Sequence, residues 1–367
     1  MPPLRQMFIP FISFLILSIE AMGDEYPYLY RSAYFLGRGD TGIASADNED
    51  AIFYNPAGIA LGKGIYKEIV IAAPMVEVSQ DTRDVVRKVS VQEEDPTETL
   101  REHQGRPQHL GLNAFSGIIL RRAAIGAFGH SSNTALLYKD PDKGALESIL
   151  AESVVDTGAV FTLAQNFGKS IFIGITSKFL RRNQAYFQAN ATDSEKLTNL
   201  NSSDQISMSG TGTGADLGFI YKTGGKRTNF SVGLTIADVG NTKFIPDIET
   251  SLPKSERALK DIKQTVNAGI AIETGAQSSK FRILLDARDL LSATGQDATK
   301  RLHLGTELSL KDFIGFTGGM NQGYPTFGTF IDIRFLRIDL GLYGEEIGEQ
   351  AGSRSDTRYY FKLHAGL

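Results

Sequence analysis

The sequence predicts an all-β chain: a closed antiparallel barrel of about fourteen strands set across an outer membrane. Three observations lead there. In Thr357 to Leu367, the residues Tyr359, Phe361, Leu363, Ala365 and Leu367 alternate with Tyr360, Lys362, His364 and Gly366. A strand points successive side chains to opposite faces, so one face of this stretch is wholly apolar. A closing barrel strand needs such a face, because lipid and not water lies outside it. Several earlier segments share this period of two, and the connections between them alternate short and long.

The first residues read as a signal peptide, 1–23. Arg5 supplies a positive charge, Phe8 to Ile19 is apolar apart from two serines and a proline, and Ala21-Met22-Gly23 offers small residues for cleavage before Asp24. The apolar run falls short of the ~20 residues that span a bilayer, and Pro10 interrupts it. Residues 24–64 do not read as strands. Gly37 to Ala46 is rich in small residues, Asp47 to Asp50 is acidic, and Phe53-Tyr54-Asn55-Pro56-Ala57-Gly58 follows. Pro56 biases Asn55 away from the helical region and Gly58 permits a tight reversal. Gly37-Arg38-Gly39 lacks the rest of a phosphate loop.

The barrel is expected over 65–367, with strands near 65–79, 108–119, 122–131, 152–166, 169–188, 205–223, 227–238, 263–275, 279–290, 301–311, 312–320, 325–334, 336–344 and 356–367. In one of them Leu302, Leu304, Thr306, Leu308 and Leu310 oppose Arg301, His303, Gly305, Glu307 and Ser309. That alternation fits a strand and not a helix. Arg121-Arg122, Phe167 to Lys169, Gly224 to Lys226, Ala276 to Ser278 and Lys311-Asp312 are tight turns. Between them lie the longer stretches 80–107, 132–151, 189–204, 239–262, 291–300 and 345–355. Outer-membrane barrels keep short turns on the periplasmic side and long loops outside. Pro74 is a candidate kink in the wall, since proline removes a ladder hydrogen bond.

The polar faces carry charge of both signs, including Arg282, Asp286, Arg288, Glu307, Arg337, Asp339 and Lys362, and these must point into the lumen or sit at the rims. A hydrated ion-pair lattice that stiffens the wall is the reading they favour. The chain has no cysteine, which excludes a lipoprotein anchor, disulfides and thiolate metal sites. A net charge of −4 with no basic patch argues against nucleic acid as a partner. The five histidines are scattered, and neither His-Glu-x-x-His nor a Gly-x-Ser-x-Gly elbow occurs, so no enzyme, metal site or cofactor is expected. Ser309 and His303 are the residues a wall-borne hydrolase would draw on.

A Gly- and Ala-rich N-terminal stretch, an acidic step, an aromatic-Asn-Pro-Ala-Gly motif and then a first barrel strand together resemble the FadL-type outer-membrane transport proteins. The related type IX secretion and TraF-like barrels share the pattern. The resemblance implies a fourteen-stranded barrel whose lumen is plugged by an N-terminal hatch, here 24–64. The hatch carries Asn55-Pro56-Ala57, and a gating site is implied over Phe53, Tyr54, Asn55, Pro56, Ala57 and Gly58. It further implies passive transport of hydrophobic or small solutes. The alternative is a docking barrel that binds a partner or secreted protein and passes no solute. Expected partners are outer-membrane lipid, a hydrophobic ligand, and the barrel assembly machinery through Tyr359–Leu367.

Overall fold

The computed structural model describes residues 25–61, 66–84, 102–140, 146–190, 205–225, 227–247, 259–276, 279–333, 335–348 and 350–367. The expected signal peptide and most of the first long loop lie outside them. The strands are β1 (Tyr66–Ala72), β2 (Met75–Ser79), β3 (Gln108–Leu120), β4 (Ala123–Asp140), β5 (Leu146–Phe167), β6 (Ile171–Asn190), β7 (Gln205–Gly224) and β8 (Thr228–Ala237). They continue with β9 (Phe244–Pro246), β10 (Thr265–Ala276), β11 (Ser279–Ala287), β12 (Leu302–Leu310), β13 (Ile314–Asn321), β14 (Tyr324–Asp332), β15 (Leu336–Glu346) and β16 (Ser355–Gly366). β1 and β2 are two halves of one stave, each pairing with both β3 and β16, and β9 is a short loop strand on β7. The chain is therefore a closed, fourteen-stave antiparallel barrel, as the periodicity predicts. Its seam joins the first stave to the last.

Burial is inverted relative to a water-soluble protein. On β12, Leu302, Leu304, Leu308 and Leu310 are exposed, while His303, Glu307 and Ser309 between them are buried. The same alternation places Ile270 and Ile272, Phe281, Ile283 and Leu285, and Leu340 and Phe361 on the outside. Water would penalise so continuous an apolar band at roughly 25 cal/mol per Å², whereas hydrocarbon does not. No helix among the described residues is long and apolar enough to cross a membrane.

Two strand boundaries depart from the sequence reading. Residues 132–151 are not one loop, because β4 continues to Asp140 and β5 begins at Leu146. Beyond the apolar band both faces of a strand meet water, so the alternation that marks a strand disappears while its ladder continues. His130 accordingly lies within β4 and not at a strand end, hydrogen-bonded to Asn113 at 2.8 Å.

Candidate functional site

Residues 25–61 run through the inside of the ring and touch its wall on nearly every side. Their local structure follows from the sequence. Ser32 caps the helical turn Ala33–Leu36 by accepting the Phe35 N–H, and its hydroxyl donates to Asp50. A second turn, Ala51–Tyr54, ends at Asn55, which is extended at φ −159°, as a residue before proline prefers. Pro56–Leu61 then forms a 3-10 helix.

Asn55 ties this turn to the wall. Its amide donates to Ile43 O at 2.7 Å and to Phe219 O on β7 at 3.1 Å, while its Oδ1 accepts the Ala57 N–H at 3.1 Å. Wall glycines permit the approach. A Cβ on Gly218 would lie 2.2 Å from Asn55 Oδ1, and one on Gly174 would lie 2.4 Å from the Pro56 carbonyl carbon. These two glycines face each other across β6 and β7. Gly233 with Gly269, and Gly305 with Gly319, form equivalent cross-strand pairs beneath Ile43, Arg38 and Gly39. The segment thus lies backbone to backbone on a row of side-chain-free positions.

Charge fixes it further. Arg38 pairs with Glu307 on β12 at 2.7 Å, Arg31 with Glu345 on β15 at 2.7 Å, and Asp40 with Arg288 beyond β11 at 2.8 Å. Lys362 on β16 reaches Glu49 at 2.9 Å. Asp286 accepts the N–H groups of Gly42 and Ile43 at 2.7 and 3.0 Å, and Thr326 bonds both Gly37 O and the Gly39 N–H. The inward charges expected to stiffen the wall therefore serve largely to hold this segment, and most are buried. Glu25 bonds Arg358 at 2.7 and 3.0 Å.

Burial alone would raise the Glu25 carboxyl, but Arg358 outweighs it and holds the group at about 2 against an ordinary 4.5. Burial also opposes ionisation of Glu49, yet Lys362 and His364 keep it well below the usual carboxylate range. At Asp50 burial prevails and raises the carboxyl. A depressed acid contributes stability that is complete above its unfolded value and is lost as pH falls through the folded one. The contacts around Glu25 are accordingly expected to loosen between about pH 4.5 and pH 2. Amide hydrogen exchange at Tyr26 to Tyr30 checks this, and Glu25→Gln should flatten the dependence.

Space remains at both ends of the segment. At the long-loop end a cavity of about 110 Å³ is bounded by Tyr26, Tyr30, Phe53, Lys178 and Arg288, with a second of about 130 Å³ beside Tyr28, Arg31 and Arg182. At the short-turn end a cleft of about 100 Å³ lies among Tyr34, Glu49, Glu68, Arg337 and His364. Aromatic rings extend from the first cavity toward the wall. Tyr30 stacks on Phe53 at 4.2 Å, and Phe53 meets Phe128 and Phe115 edge-on at 5.1 and 6.1 Å.

Glu49, Glu68 and His364 come within metal-ligand spacing of one another, but both His364 nitrogens already bond carboxylates, at 3.1 and 2.6 Å. With Lys362 on Glu49, the group is satisfied as an ion-pair cluster. Ser309 and His303 are not brought together. His303 bonds Gly39 O, and Ser309 bonds Asp312 at the opposite end of β12.

Comparison with protein-family models and with curated proteins gives no match. Solved structures do match. The toluene transporter TbuX of Ralstonia pickettii is 10% identical with a TM-score of 0.49, covering 90% of this chain and 96% of its own. A Pseudomonas aeruginosa FadL homologue is 10% identical with a TM-score of 0.40, over 94% of this chain and 99% of its own. The toluene transporter TodX of Pseudomonas putida is 12% identical with a TM-score of 0.40, over 94% and 98%. The chain resembles FadL-type barrels over nearly its whole length.

The stave carrying Pro74 is broken between β1 and β2. Its register against β16 shifts between Val70 and Ala72, where Ile71 and Ala72 both face outward as in a bulge. The ladder is still closed there, because Ala73 donates to Phe115 O at 2.9 Å and Leu363 donates to Pro74 O at 3.0 Å. Phe53 and Phe115 thus connect the Asn-Pro-Ala turn to the break. Of the six motif residues, Tyr54 to Gly58 are buried and Phe53 is partly so. The partners Arg31, Arg38, Asp40 and Glu49 were outside the expected site. The inward-facing glycines at matched strand positions signal where the backbone of the segment seats, but not these charge pairings.

Proposed function

We propose that the chain is an outer-membrane transport barrel for hydrophobic or small solutes, with residues 24–64 as its hatch. The observation that carries this reading is the seating of the segment across the ring, with a partly aromatic cavity on one side and a polar cleft on the other. A passive carrier has no energy source, so the size of the motion matters. Lifting the whole segment would break the buried pairs of Arg31, Arg38 and Glu49, each costing about 3–5 kcal/mol if left one-sided. A shift confined to Phe53–Gly58 breaks the few hydrogen bonds of Asn55 and some ring contacts, at about 1 kcal/mol per bond. The local motion is therefore the gate. Solute entering beside Tyr26 and Tyr30 would displace Phe53, then leave toward the cleft or through the wall at Ala73–Pro74.

The strength of the ion pairs favours a second reading, in which the segment never moves and the barrel docks a partner. Solute uptake into vesicles separates the two. Asn55→Ala should raise passage of a small apolar probe severalfold, and removal of residues 25–61 should raise it further. Equal passage by wild type and both variants would rule out gating. The C-terminal strand Tyr359–Leu367 remains the proposed contact for the barrel assembly machinery.

A further inference from the structure

The two edges of the barrel differ in charge. At the long-loop edge exposed charges are mixed and matched, as in Arg181 with Asp247 at 2.7 Å and Arg106 with Asp81 at 3.4 Å. At the short-turn edge they are nearly all basic. Arg122, Lys169, Arg227 and Lys311 are exposed at four different turns, and Arg121 is half-buried beside Arg122. Among the described residues of those turns the one acid is Asp312, and Lys280 already bonds both its oxygens at 2.8 Å.

An aromatic collar lies directly above. Phe167, Tyr221 and Phe313 are exposed within a few residues of three of these turns, and Phe335 is exposed at the turn between β14 and β15. Rings at the level of the headgroups with cations just beyond them match the layering of a bilayer surface. A soluble acidic partner would select a basic patch on one side. Here the basic turns occur between β3 and β4, β5 and β6, β7 and β8, and β12 and β13, on both halves of the ring. That distribution suits an annulus of lipid.

We propose that this rim binds the headgroups of anionic phospholipids in the leaflet at the short-turn edge. The inference rests on the membrane-barrel reading above. The test reconstitutes the full mature chain in phosphatidylcholine vesicles carrying a trace of spin-labelled phosphatidylglycerol or spin-labelled phosphatidylcholine. The immobilised fraction of phosphatidylglycerol should exceed that of phosphatidylcholine by about fivefold, a preference that added salt should weaken. R122Q/K169Q/R227Q/K311Q should abolish it, and R122K/R227K should keep it. Equal immobilisation of both lipids by the wild type, or a preference that survives the fourfold change, overturns the inference and leaves the rim to an acidic protein. Failure of the chain to float with the vesicles overturns the membrane reading along with it. Flotation without selectivity overturns this inference alone.

Discussion

Gly218→Val is expected to unseat Asn55 to Ala57 and convert a closed barrel into a conducting one. The new Cβ would lie 2.2 Å from Asn55 Oδ1 and 2.8 Å from both Ala57 N and Pro56 Cδ, well inside contact distance. Gly218 sits within the β6–β7 ladder opposite Gly174, toward its short-turn end, where a β-branched residue suits the strand itself. The wall has no reason to yield, because its hydrogen bonds run the length of both staves. The turn does have a reason, since overpacking at about 1–3 kcal/mol is comparable to what the Asn55 bonds hold. Single-channel conductance across a planar bilayer should rise from near zero to a resolvable pore, and Gly174→Ala in addition should raise it further. A conductance unchanged in both variants, with Tyr54 still protected from protease, would show that this turn does not seal the ring.

Glu307→Ala is expected to destabilise the protein by about 3–5 kcal/mol, because it strands a buried guanidinium. Arg38 is 0% exposed and pairs with Glu307 at 2.7 Å, and Arg282 reaches the same carboxylate at 3.1 Å. Without it Arg38 keeps the Thr41 carbonyl, the Ser45 hydroxyl and the faces of Tyr34 and Phe35, none of which carries a negative charge. Glu273→Ala removes the other, more exposed partner of Arg282 and should cost no more than about 1 kcal/mol. Urea unfolding in detergent micelles measures both, and tryptic cleavage after Arg38 reports whether the segment leaves the wall first. Equal losses in the two variants would mean that the pair does no more than an exposed bridge.

The architecture was legible because a lipid-facing wall writes itself as period two. β10, β11 and β12 alternate between an apolar outer and a polar inner face, and the tight turn at Lys311-Asp312 fixes the register of β12 on β13. The ends of β4 and β5 were not legible. Ser131 to Thr134 stand beyond the apolar band, where neither face is selected for grease. In the inner segment, Asn55-Pro56-Ala57 stood out as a local turn signal, whereas Arg31 and Arg38 did not. Their partners lie 314 and 269 positions away, and no local pattern encodes such a pairing. The glycine pairs were readable in principle, since each interrupts an inward row of side chains at matched heights on neighbouring staves.

The seam between the first and last staves has a bearing on how the molecule is made. Glu25, Arg31 and Glu49 find their counter-ions on β15 and β16, the last staves of the ring in chain order. The ring cannot shut until those pieces arrive, and the inner thread has no complete berth before then. Such long-range contacts make assembly slow and cooperative, since loop-closure entropy is lost well before the compensating bonds form. Closure of the wall and completion of the thread's ion pairs therefore depend on the same two staves.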